Sequence, residues 1–295
     1  MTAGARPCPL CATARATVLL TAGPRRMVRC DACSLVYRDP LPTPAPPPAT
    51  PEPDADVVRR EERVARRRSR EFRRLLATAG PPGRLLDVGT GFGFFLGLAS
   101  EAGWSAVGVD PDAGAARYAR SRLGVDARAG SLEAQAFPAA SFDLVTFWNV
   151  LECIPEPLAT LHAVRRLVRP GGRIFVRTQN LAWQAWSFRV TEAAKRLGLR
   201  RRLEGAPHLT FIFNAISFSR ATLGRALTSA GFEVVSVGNS PPIPGDPYLG
   251  LAAPGELALA LAKHAVWGVA EAVALASAGR WLVAPSLAAW GRVPA

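Results

Sequence analysis

Two short segments hold residues spaced for chemistry. Residues 85–93 read Leu-Leu-Asp-Val-Gly-Thr-Gly-Phe-Gly, and residues 106–110 read Ala-Val-Gly-Val-Asp. The first is an apolar run that ends in Asp87 and a turn with glycine at alternate positions, Gly89, Gly91 and Gly93. The second is an apolar strand tipped by Asp110. Together they predict a strand, a turn stripped of side chains, a helix, and a second strand ending in a carboxylate. α/β proteins hold adenosine-containing cofactors this way. Backbone approaches the ligand at the glycines, and the acid takes a pair of ribose hydroxyls.

The glycine spacing narrows the ligand. A dinucleotide fingerprint needs a third glycine three positions after the second, and that position is Phe94. No Gly-x-x-x-x-Gly-Lys-Ser/Thr segment occurs, so the phosphate loop of nucleotide hydrolases is excluded.

Four of the five cysteines form a second constellation: Cys8, Cys11, Cys30 and Cys33, two Cys-x-x-Cys pairs. Each pair turns the chain so that two thiolates face one point, and two pairs make a tetrahedral four-sulfur site suited to Zn²⁺. Two disulfides are the alternative, and they suit an exported chain. Residues 1–20 show no continuous apolar run after a basic head, so a cytoplasmic chain with structural zinc is expected. Four thiolates leave no open position, so this metal would fold a short segment and not catalyse. Cys153 stands apart and reads as a core thiol.

The elements that must position these groups follow from composition and periodicity. The 295 residues are 49% apolar, enough for one large domain and an appendage. The net charge of +13 is concentrated: residues 59–74 hold nine arginines against three glutamates. Val57, Val64, Phe72 and Leu75 fall near one face of that segment, which predicts an amphipathic helix over 56–79. Its basic face is either solvated or phosphate-binding. Residues 1–40 read as a zinc-ribbon module and the proline-rich residues 41–54 as a semi-rigid linker. From 55 to 240, strands at 84–88, 105–109, 125–129, 142–148 and 173–178 alternate with helices. That alternation predicts a doubly wound, mostly parallel α/β sheet with its ligand crevice at the strands' carboxyl ends. Residues 179–217 form a long insertion with Trp183, Trp186 and His208, placed to cover the substrate or simply to pack. The remainder, 241–295, reads as a proline-rich segment and an apolar helical tail. That tail is open to three readings: a buried or amphipathic helix, a helix docked on a membrane surface through Trp267, Trp281 and Trp290, or a span.

The glycine turn and both acids resemble the first motif of class I S-adenosylmethionine (SAM) methyltransferases. The front ribbon matches the subset of that family that carries four N-terminal cysteines. The resemblance covers about residues 80–235. It continues through Pro207-His208-Leu209, Ser217-Phe218-Ser219 and Ala230-Gly231-Phe232. It implies a Rossmann-like fold and SAM as methyl donor. Asp87, Gly89, Gly91 and Gly93 would border the methionine half, with Asp110 on the ribose. Ser131 and Leu132 would meet the adenine, although the family's usual aspartate is missing there. The run from Phe147 to Pro157 resembles the motif that follows the fourth sheet strand, with Cys153 where a histidine is common, so no role of that histidine transfers. Asn149 and Glu152 fall in reach of the crevice, to orient the acceptor or the methionine part.

Members of that subset serve the biosynthesis of saccharides, lipids or secondary metabolites. The expected reaction is therefore O-methylation of a small-molecule, saccharide or lipid acceptor. An oxygen nucleophile of high pKa gains from a base, and His208 is the candidate by place and chemistry. A substrate hydrogen bond or a packing role suits His208 equally. Two other functions compete: an RNA methyltransferase gripping nucleic acid with its ribbon and arginines, and a non-catalytic scaffold. The strand at 142–148 lacks the Asn-Pro-Pro-Tyr ending of nucleic-acid amino-methylating enzymes. Intact Asp87 and Asp110 argue against a scaffold. The family usually closes its sheet with a seventh, antiparallel strand, and residues 238–254 give no signal for one.

Overall fold

A computed structural model describes residues 7–22, 25–42, 53–198, 214–243 and 253–295. His208, Arg200–Arg202 and most of the proline-rich linker lie outside the described residues.

The front module holds strands β1 (Ala16–Ala22), β2 (Arg25–Cys30) and β3 (Val36–Asp39), paired antiparallel in that order. Helix α1 (Ala55–Thr78) follows. The Asp54 carboxylate caps it by accepting from the Asp56 amide at 2.7 Å, which satisfies one of the donors a helix start leaves open. The main unit continues with β4 (Arg84–Val88), α2 (Phe94–Glu101), β5 (Ser105–Asp110), α3 (Ala113–Leu123) and β6 (Asp126–Ala129). Then come β7 (Phe142–Trp148), α4 (Pro157–Leu167), β8 (Val168–Gln179) and α5 (Leu181–Arg196). The last elements are β9 (Ile216–Ser217), α6 (Arg220–Ser229), β10 (Glu233–Asn239), α7 (Ala253–Ala276) and β11 (Ser286–Arg292).

The main sheet has seven strands in the order β10-β11-β8-β7-β4-β5-β6. Pairings among β8, β7, β4, β5 and β6 are parallel, and β11 runs antiparallel to both its neighbours. The strand order reverses at β4, with β5 on one side and β7 on the other. A crevice opens there at the carboxyl ends. Leu85 and Leu144 face a cluster with Phe72, Phe95 and Trp104 on one side of the sheet. Leu86, Val145, Phe147 and Val176 face the other side, with α4 and α6. That second cluster runs on into Val28, Leu35 and Tyr37 of the ribbon. Strand β9 completes the junction by pairing with β3. The ribbon is thus built onto the main unit.

The structure departs from the sequence pattern at the C-terminus. That pattern ends the sheet unit at residue 240 and predicts only a tail beyond it. Residues 286–292 instead supply the closing antiparallel strand, inserted between β10 and β8. Helix α7 is therefore an excursion between two paired strands. The strand hid because Ala288, Ala289 and Gly291 carry little strand preference. Trp290 belongs to this strand and packs on Phe175, with ring centroids 5.0 Å apart, so it is not a surface anchor.

Candidate functional site

The chain between β4 and α2 turns on Gly89, Gly91 and Gly93, all at positive φ. At Gly89 a Cβ would stand 2.3 Å from Val150 Cγ2, so a side chain there collides with the loop after β7. At Gly91 a Cβ would meet nothing within 4 Å, and the position opens on a cavity. Helix α2 starts one residue after the turn, so its free amides face the same space.

Both acids meet at this turn. Asp110 Oδ2 accepts from the Gly91 amide at 2.7 Å, and Oδ1 accepts from the Asp112 amide at 2.8 Å. Burial raises its pKa, and the two amides partly offset that. Asp87 is 2% exposed. Its Oδ1 accepts from Thr146 Oγ1 at 2.6 Å. Burial pushes Asp87 up to about 7, against the pull of the Thr146 and Thr90 hydroxyls, and the charge of Asp110 adds to the rise.

The cavity these groups border measures about 440 Å³. Asp87, Gly89, Gly91, Asp110 and Asn149 line it, and Gly93 sits behind as the N-cap of α2. The opposite wall is α1, through Val57, Glu61, Val64, Arg68 and Phe72. These follow at spacings of four, three, four and four, one stripe of a helix. Sequence periodicity marked Val57, Val64 and Phe72 of this stripe, together with Leu75, yet it did not show Glu61 and Arg68 among them or that the stripe covers a crevice. Phe72 also meets Trp148 edge-on at 4.6 Å, which seats the helix against the end of β7.

Asn149 sits at φ +58, and its Oδ1 accepts from Arg177 Nη1 at 2.7 Å. Arg177 has no signature in the sequence, and only the fold brings it here. Ser131 and Leu132 lie in the loop after β6. The Gly130 amide ties that loop to the Asp110 carbonyl at 2.9 Å, but neither residue lines the cavity. Leu132 is buried, and the Ser131 hydroxyl accepts from the Ala134 amide at 3.3 Å. Glu152 is 1% exposed, in the short turn after β7. Burial pushes it up to about 7, only partly offset by nearby amides, the Thr178 hydroxyl and Arg177. Cys153 is exposed at the end of that turn, not a core thiol. The turn exposes its third residue while burying Leu151 and Glu152.

The four front cysteines converge. Cys8 and Cys33 sulfurs stand 3.6 Å apart and Cys11 and Cys30 sulfurs 3.5 Å apart, all four within 4.8 Å of one another. A tetrahedron with Zn–S bonds of about 2.3 Å has edges of about 3.8 Å, so the four thiols fit a structural Zn²⁺. The crevice likewise fits an adenosine-bearing ligand: a turn with glycine at alternate positions, a helix start, and a carboxylate at the neighbouring strand end.

Comparison with known proteins agrees with this geometry. A profile described as a methyltransferase domain matches residues 59–237. The ubiquinone biosynthesis O-methyltransferase of Azoarcus sp. is 34% identical over 160 residues, covering 52% of this chain and 66% of that protein. Its counterpart in Aromatoleum aromaticum is 35% identical over 161 residues, covering 52% and 65%. The chain thus spans just under two thirds of each relative's length. Among solved structures, a SAM-dependent methyltransferase from Archaeoglobus fulgidus shares the fold. Its TM-score is 0.51 at 15% identity, over 81% of this chain and all of that one. One from Mesorhizobium loti gives 0.50 at 18% identity, over 77% and 97%. A family match across more than half the chain, on a sheet with this crevice, makes the protein a member of the methyltransferase domain family, of the class I SAM-dependent type.

Proposed function

We propose that the chain transfers a methyl group from SAM to an oxygen of a small-molecule acceptor. One observation carries this reading: a half-buried carboxylate, Asp110, stands at the end of β5 against the open amide turn at Gly91. Bound SAM supplies an electrophilic methyl group on a sulfonium sulfur. Asp110 would hold the ribose hydroxyls, and the turn from Gly89 to Gly93 would let backbone approach the methionine half. Asp87 lies behind the turn and would counter the positive charge of that half. Ser131 and Leu132 are read as neighbours of the adenine, and Asn149 as a group that orients the methionine part. The acceptor oxygen must approach in line with the departing sulfur, so most of the work is placement. His208 is the proposed base for the hydroxyl proton.

The relatives' printed names support oxygen as the acceptor atom and a small molecule as the acceptor class. Saccharide and lipid acceptors are members of that class. The cysteine cluster is assigned to structural zinc. Incubation with methyl-labelled SAM and a panel of hydroxylated small molecules tests the reading. The expected product gains one methyl on oxygen. Label that enters RNA and no small molecule would overturn it.

A further inference from the structure

Helix α7 wears its apolar residues outward. Leu257 and Leu261 are each 63% exposed, Val269 64% and Leu275 81%. Glu271 points the other way: its Oε1 accepts from Asn239 Nδ2 at 2.9 Å, and Ala270 beside it is buried. A helix on a water-facing surface shows the reverse pattern, as α1 does with its arginines. Between Leu257 and Ala276 the helix is long and apolar enough to cross a bilayer by length and composition. The chain's course argues against crossing. It leaves at Asn239 and returns at Leu287, which are paired neighbours in the sheet. The connecting residues 240–252 carry four prolines and an aspartate, a composition unsuited to a second crossing. A helix so tethered would lie in one leaflet, parallel to the surface, and not across the bilayer.

Helix α5 is tied to the segment that follows α7. Its N-cap, Asn180, donates to the carbonyls of Leu282 and Ala284, just after α7. Trp186 and Val190 are exposed on α5 and Leu197 at its C-cap, and Trp281, beyond the end of α7, is 68% exposed. Exposed Arg189, Lys195, Arg196 and Arg280 accompany them. Outward tryptophan and leucine with a basic fringe is the pattern of a helix lying in a membrane interface. A second copy of the chain is a poorer occupant, because two chains of net charge +13 repel.

We propose that α5 and α7 form a docking face that inserts into the headgroup boundary of a bilayer carrying anionic lipids. The claim rests on this surface and stands apart from methyl transfer. Co-sedimentation of the full chain with phosphatidylcholine vesicles, with and without phosphatidylglycerol, tests it. The wild type is expected to pellet with the anionic vesicles and to be released by salt. The variant L261E/V269E/L275E should bind about tenfold more weakly or worse, with its S-adenosylhomocysteine affinity unchanged. Quenching of tryptophan fluorescence by brominated lipids, reduced in Trp281→Phe, gives a second readout that does not depend on that variant folding. No binding to either vesicle overturns the proposal. So does wild-type self-association that the triple variant abolishes, which would make a second copy the occupant. Resistance to extraction at high pH and high salt would mean a span, and would overturn the one-leaflet placement.

Discussion

Arg177 Nη1 donates to Asn149 Oδ1 at 2.7 Å, and the same guanidinium reaches two other elements. Its Nε donates to Ser240 Oγ at 2.8 Å and lies 3.4 Å from Glu71 Oε1. Ser240 Oγ donates to that same Glu71 oxygen at 3.1 Å. One buried side chain thus joins the crevice wall to α1 and to the end of β10. Arg177→Met removes a partner from Glu71 and from Asn149, both half-buried. The expected cost is about 2–4 kcal/mol in a urea unfolding series, together with weaker binding of S-adenosylhomocysteine. Unchanged stability and affinity would show that the network holds nothing.

Two glycines in the turn separate fold from ligand. Gly89→Ala meets Val150 at 2.3 Å and should lower stability by about 1–3 kcal/mol and abolish binding. Gly91→Ala has open space and should lower stability by only about 1 kcal/mol, the cost of its positive φ. Its methyl group would project into the cavity proposed for the ligand, so affinity should still fall. Equal effects of the two on affinity per unit of lost stability would argue that neither touches ligand. Calorimetry and denaturant titration of both variants decide this.

The pH dependence of cofactor binding follows from Asp87. Burial holds its pKa near about 7 in the free chain. The cationic methionine half proposed to lie beside it would favour the carboxylate over the acid, so binding would lower this pKa. SAM affinity should therefore rise as pH increases through the window from about 6 to about 8. Asp87→Asn should bind more weakly and show a flat profile there. A wild-type profile as flat as the variant's would remove Asp87 from the charge balance.

Stability should run the opposite way with pH because of Glu152. Its folded pKa is raised from 4.5 to about 7. Between those values the folded chain keeps a proton that the unfolded chain has released. Stability is then greatest at the acid side of the window and falls as pH rises through it. Glu152→Gln should remove its share of that slope, leaving the share of Asp87, and gain about 2–3 kcal/mol relative to wild type above pH 7. Thermal unfolding of both proteins from pH 5 to about 8 measures the difference. Parallel curves would mean that Glu152 is ionised in the folded chain.

Zinc should stabilise more than the ribbon. The ribbon's buried residues share one cluster with the sheet, and β3 pairs with β9. Cys8→Ser should reduce bound zinc from about one per chain and lower the melting temperature of the whole protein by several degrees. Metal analysis with calorimetry checks both. A stable four-sulfur site without zinc, or two disulfides by mass, would contradict the assignment.

The parts legible in the sequence were local. Asp87, the three glycines and Asp110 lie within 24 residues, and each has a residue type that its backbone position demands. The cysteine pairs carried their own geometry. What stayed hidden depends on distant contacts. Arg177 and Asn149 are 28 positions apart, and Arg177 and Ser240 are 63 apart. Nothing local marks that arginine among so many. Strand β11 hid behind alanines. The stripe on α1 announced burial, but periodicity cannot tell a core from a ligand. Ser131 and Leu132 were placed by resemblance alone, and the cavity wall does not include them.

The most direct test is calorimetric titration of the wild type and Asp110→Ala with S-adenosylhomocysteine. The expected result is one site per chain in the wild type. The variant should bind about a hundredfold more weakly, since two hydrogen bonds from ribose hydroxyls to a carboxylate are lost. No binding by the wild type, or equal affinity in the two proteins, would contradict the account.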